Sequence, residues 1–101
     1  MTNQKKSGLA FALLAMCLHA VAATPNQVRG MAASCANCHG TQGIAQPGME
    51  SLAGVAKEDL LKKMYDFKTG KKPATIMHQI AKGFTDAQTE QLAAYFAARK
   101  K

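Results

Sequence analysis

The 101-residue chain is predicted to form one small all-α domain, with three main helices and a short fourth around an irregular loop. Three observations predict this. Apolar residues recur at spacings of three and four from about residue 25 onward, and no segment alternates with period two. Thr24 and Thr85 each stand three residues before a Gln, the arrangement of a capping box at a helix start. Gly40, Gly70 and Gly83 then close three of the periodic stretches, where glycine is the favoured stop.

The first helix starts from Thr24 as cap, with Pro25 at the first helical position. Val28, Met31, Ala32 and Cys35 follow at i, i+3, i+4 and i+7 and mark its inward face, and the helix should end at Gly40. Gly40 to Gly54 holds four glycines and Pro47, so it reads as a loop. The second helix spans Lys57 to about Lys68, with Glu58 and Asp59 in the first turn, where the helix dipole favours acids. Leu60, Met64 and Phe67 face inward. Pro73 breaks the chain before a short helix from about Thr75 to Lys82. The last helix follows Thr85, with Leu92, Tyr95 and Phe96 as its buried stripe and Arg99, Lys100 and Lys101 suiting its end.

Residues 1–22 read as a signal peptide and residues 23–101 as the domain. Lys5 and Lys6 precede an apolar run that extends to Ala23, and Ala20-Val21-Ala22 is a small-x-small cleavage pattern, with the cut after Ala22 or Ala23. As a membrane anchor the run is short of the roughly 20 apolar residues a span needs, and His19 interrupts it. Cys17 is read as part of this leader. Cleavage after Ala22 leaves 79 residues; without Lys5 and Lys6, eleven cations face six acids for a net charge of +5. No membrane span is expected after cleavage, and the destination is the periplasm. Composition excludes a multidomain enzyme, a polytopic membrane protein and a low-complexity tail.

The mature chain keeps two cysteines, Cys35 and Cys38. A lone bridge across three residues would constrain the unfolded chain very little, so the pair has another task. Cys35-Ala36-Asn37-Cys38-His39 is C-x-x-C-H, the pattern of c-type haem attachment. Two thiols about one helical turn apart match two vinyl groups on one porphyrin edge, and each adds across a vinyl to form a thioether. His39, next in sequence, is placed to ligate the iron. A thioredoxin-like thiol pair would want a βαβ context, and a zinc site needs four ligands, which adjacent Cys38 and His39 supply awkwardly alongside Cys35 and His78. Six aromatic residues and no Trp make a thin core for a free-standing domain. One covalent haem c would fill it, giving a small cytochrome c fold wrapped around that group. The haem-free mature chain should be largely disordered.

For the second axial ligand the choices are Met31, Met49, Met64, Met77 and His78. Met31 shares the helix of the cysteines and cannot reach the other face of a disc. Met64 reads as a core methionine on an apolar stripe, and Met49 lies in the loop on the histidine's side. Met77 stands 38 residues beyond His39, far enough to close over the other face. It is favoured over His78, which otherwise reads as a solvent-facing histidine. A thioether stabilises ferrous iron relative to a second imidazole and raises the potential. With both axial positions filled, the iron passes electrons and offers no vacancy to a substrate. The metal ligands are thus His39 and Met77, and no residue is assigned a catalytic role.

Across the mature chain the sequence resembles the class I cytochromes c, with an early haem string, a late methionine and a closing helix with paired aromatics. The resemblance implies a close crossing of first and last helices, with Gly30 against Tyr95 or Phe96. It also implies a proline carbonyl holding the proximal histidine's second nitrogen, for which Pro47 is the matching position. More narrowly, Cys38-His39-Gly40-Thr41 with Gly43, Asp66-Phe67-Lys68-Thr69-Gly70, Thr75-Ile76-Met77 and Ile80-Ala81-Lys82-Gly83-Phe84 resemble the cytochrome subunits of flavocytochrome c sulfide dehydrogenases. That implies electron acceptance from a sulfide-oxidising flavoprotein, with any catalysis belonging to the partner. The sequence departs from two-haem members in having a single C-x-x-C-H, which leaves open a freely diffusing carrier to an oxidase or reductase. A non-haem thiol redox or zinc protein is the alternative of another class. Lys57, Lys62, Lys63, Lys68, Lys71, Lys72 and Lys82 would steer a partner with an acidic docking surface if they ring the haem edge. Nucleic acid is a poor partner, because no recognition motif is present.

Overall fold

The computed structural model describes residues 22–101. The expected leader therefore lies outside the described residues, apart from Ala22. Four helices follow in order: α1 (Pro25–His39), α2 (Lys57–Thr69), α3 (Met77–Lys82) and α4 (Asp86–Ala97), with a single 3-10 turn at Thr41–Gly43. Both capping boxes form. The Thr24 hydroxyl accepts from the Gln27 amide while the Gln27 side chain accepts from the Thr24 amide, and Thr85 and Gln88 repeat the exchange. No helix among the described residues is long and apolar enough to cross a membrane.

α2 packs against both α3 and α4, and α1 packs against α4. Ala32, Leu60, Leu92, Ala93 and Phe96 form the shared core, flanked by Met31, Cys35, Leu52, Val55, Leu61, Phe84 and Tyr95. Four of the seven buried apolar residues described are alanines, and no large side chain is fully enclosed. Such a core is too thin to account for the fold alone.

Two expectations need correction. The helix crossing does not centre on Gly30, which is exposed and where an added Cβ would touch nothing within 4 Å; buried Ala32 is the α1 residue in the core with Phe96. The close glycine approach to Phe96 comes instead from the loop: a Cβ on Gly43 would lie 2.9 Å from the Phe96 ring. α3 begins at Met77, because Ile76 has non-helical backbone (φ −138°, ψ −27°) and ends the bent segment that follows Pro73. At the far end α4 stops at Ala97, and the cations follow it at the helix end as expected. Arg99 turns back, its Nε donating to the Tyr95 carbonyl (3.2 Å) and its guanidinium 4.3 Å from the Tyr95 ring centre.

Candidate haem site

The last turn of α1 delivers Cys35, Cys38 and His39 to the rim of a cavity of about 300 Å³, at the lower end of the usual range for a ligand pocket. Cys35 and Cys38 are both free thiols, three residues apart on one helix. Burial pushes the Cys35 thiol above its ordinary value. A thiol–disulfide catalyst needs the opposite shift, so this environment argues against thioredoxin-like chemistry. Among the described residues no three His, Cys, Asp or Glu side chains converge as a metal-ion cage, which gives the zinc reading no support.

The chain leaves α1 through Gly40, whose φ is +84°; a Cβ there would meet the Ile44 carbonyl oxygen at 1.8 Å. Only glycine fits this turn. The loop then folds back so that His39 Nδ1–H donates to the Glu50 carbonyl at 2.6 Å. This corrects the expectation for Pro47: the acceptor is the peptide oxygen of Glu50. The bond fixes the neutral tautomer with the proton on Nδ1, leaving the Nε2 lone pair available to a metal. The Glu50 carboxylate in turn pairs with Lys63 of α2, which also lines the cavity.

α2 contributes Leu60, Met64 and Phe67 to the walls, and α4 contributes Thr89, Leu92, Ala93 and Phe96. Pro73, Ala74, Thr75, Ile76, Met77 and Ile80 line it from the segment leading into and along α3, with Phe84 just beyond. Met77 thus reaches the cavity, and its neighbour His78 is not among the lining residues. His78 is not the solvent-facing residue expected either. It is half-buried, and its Nδ1 is enclosed without a hydrogen-bond partner. Met64 lines the cavity from mid-helix, so it belongs to the wall of the site rather than to the protein core. Met49, 47% exposed, lies at the mouth next to Glu50 and therefore on the histidine's side. The apolar walls, the paired thiols at one rim, the oriented imidazole and the thioether of Met77 together suit a haem.

The lysines divide into two sets. Lys57, Lys62, Lys63 and Lys68 form ion pairs with Glu90, Asp66, Glu50 and Asp86. Among the described residues Lys71, Lys72 and Lys82 form none, and they flank the segment that carries exposed Ile76 and Ile80. Lys72 also stands 5.6 Å from the centre of the Phe67 ring, itself part of the cavity wall.

The family model for cytochrome c matches residues 28–99, which takes in the cysteine pair, His39, Met77 and all but the first turn of α1. The chain belongs to the cytochrome c family. It carries covalent haem c, and Cys35 and Cys38 fit the attachment motif. The chain is 38% identical over 63 residues to the cytochrome subunit of sulfide dehydrogenase from Chlorobaculum tepidum, covering 62% of this chain and 57% of that one. It is 39% identical over 70 residues to cytochrome c4 from Pseudomonas aeruginosa, covering 68% of this chain and 35% of that one. A thiosulfate dehydrogenase electron acceptor from Thiomonas intermedia is 35% identical over 71 residues, covering 68% and 33%. The chain therefore spans between a third and rather more than half of these relatives. As a cytochrome c it is an electron carrier.

Missed in the sequence were Glu50 and Thr89, and Lys63 and Phe84 were not placed in the cavity wall. Glu50 acts through its backbone oxygen, which leaves no trace in side-chain identity. Lys63 and Thr89 lie on amphipathic helices, where only the packing angle decides which side chains reach the cavity.

Proposed function

We propose that this chain is a periplasmic one-electron carrier that accepts electrons as the haem subunit of a sulfide-oxidising flavoprotein. Its haem is joined through Cys35 and Cys38 and ligated by His39 Nε2 and Met77. The observation that carries the ligand reading is the His39–Glu50 hydrogen bond, which aims a free imidazole nitrogen into a cavity that Met77 enters from another element. When bound, the haem supplies an iron that alternates between ferric and ferrous states. The polypeptide keeps the ring dry with Leu60, Phe67, Leu92 and Phe96, and Glu50 makes His39 a stronger donor. Ile76 and Ile80 line the cavity and stand exposed, and Lys71, Lys72 and Lys82, without ion pairs among the described residues, lie close to them in sequence. That chemistry suits brief docking of a partner with acidic groups.

Similarity to the cytochrome subunit of sulfide dehydrogenase supports the flavoprotein partner. A freely diffusing carrier is the second reading, favoured by the single C-x-x-C-H and by similarity to a thiosulfate dehydrogenase electron acceptor. Export to the periplasm rests on the leader pattern and on covalent haem attachment.

The ligand reading is tested in protein matured in a host with haem-attachment machinery. Met77→Leu should keep the haem, lose the charge-transfer band of thioether-ligated ferric iron and lower the reduction potential; Met64→Leu should do none of these. A Met77→Leu variant with an unchanged potential and an intact band would remove Met77 from the site. Co-purification with a flavoprotein of the native host separates the subunit from the free carrier.

A further inference from the structure

α3 presents a physical problem. It has six residues, fewer than an isolated helix needs to persist, and no side chain caps its N-terminus at Ile76. Its one fully buried residue is Ala81, 1% exposed, and the helix packs against α2. Yet Met77 is its first residue. Something beyond the helix itself must hold it in place.

Lys68 supplies the hold. From the last turn of α2 its ammonium donates to the Phe84 carbonyl at 2.8 Å in a partly buried setting, and lies 3.4 Å from the Asp86 carboxylate. Phe84 is the residue between the end of α3 and the cap of α4, and its side chain lines the cavity. Its amide is already bonded to the Ala81 carbonyl, so a pull on Phe84 is transmitted to α3. A charged donor on a partly buried carbonyl is a strong tether, stronger than the surface ion pairs elsewhere on α2.

We propose that Lys68 is a positioning residue: by holding the Phe84 carbonyl it keeps α3, and with it Met77, against the haem iron. This rests on the reading of Met77 as the axial thioether.

The test uses ferric holoprotein titrated with imidazole, which reaches the iron only after the thioether has left. Lys68→Met keeps the aliphatic stem and removes the donor. It should raise imidazole affinity about tenfold, equivalent to about 1.4 kcal/mol. It should also bleach the thioether charge-transfer band at temperatures where helical circular dichroism is intact. Lys68→Arg, which retains a donor, should restore both properties toward the parent. Lys57→Met removes the α2 ion pair with Glu90 instead and should leave imidazole affinity as it was. Where Lys68→Met does not accumulate, Lys68→Leu, which also has no donor, tests the same bond. Met77→Leu, run in parallel, should lack the band and bind imidazole freely. A Met77→Leu protein that keeps the band defeats the ligand reading itself. If that band is lost as expected while Lys68→Met binds imidazole like the parent, the ligand stands and the tether is wrong. A Lys68→Met protein that only unfolds earlier, with unchanged imidazole affinity, overturns it equally.

Discussion

His39 illustrates how much of the site depends on one backbone oxygen. The imidazole is useful to a metal only if its other nitrogen is tied down, and the Glu50 carbonyl does this at 2.6 Å. The place of the histidine on the cavity was legible because it directly follows the two thiols that also line it. The carbonyl was not, since any residue could supply it and only the path of the loop selects Glu50 over Pro47. Asp66 gives a residue whose effect has a definite sign with pH. A hydrogen bond from Lys62 at 2.6 Å, aided by the charges of Lys62, Lys71 and Lys72, holds its carboxyl below the ordinary value. The charged form is therefore favoured in the folded state. Its contribution is complete above the usual carboxylate range and disappears as pH falls through the lowered value. Asp66→Asn should flatten the acid limb of a stability–pH curve without altering the haem spectrum, as read by denaturant midpoints at several pH values. An unchanged acid limb would show that the pair is too solvated to matter.

The helices were legible to within a turn, because capping boxes, acidic first turns and glycine stops are local signals that tertiary contacts here do not override. Thr24, Thr85 and Gly70 all do what their types suggest. The exception is the start of α3, where the chain from Pro73 to Ile76 stays irregular and lines the cavity. That choice serves the site, and nothing in helix propensity announces it. The proximal loop makes the opposite case. Gly40 is required by sterics, with an added Cβ 1.8 Å from the Ile44 oxygen and a left-handed φ. Gly40→Ala should therefore cost at least about 2 kcal/mol of stability, from backbone strain and the displaced loop. It should also slacken the His39–Glu50 bond, visible as a lower denaturant midpoint and a shifted potential. A neutral Gly40→Ala would mean that the turn can be rebuilt another way.

Taken whole, the molecule is a set of short helices whose buried residues are half alanine and whose largest apolar surfaces face a cavity. Its helices meet around that cavity rather than around large buried side chains, so fold and cofactor are one problem. The all-α class and the haem string were readable because each needs only residue type and spacing. The division of the lysines was not. It took three dimensions to see that four of the seven pair with acids and that, among the described residues, Lys71, Lys72 and Lys82 do not. The most direct check of the central claim is the intact mass of protein matured in a competent host, taken after extraction with acidified acetone. The account predicts polypeptide plus one haem, retained through extraction and abolished when Cys35 and Cys38 are both replaced by Ser. A mass equal to the bare polypeptide, with any pigment left in the solvent, would contradict it.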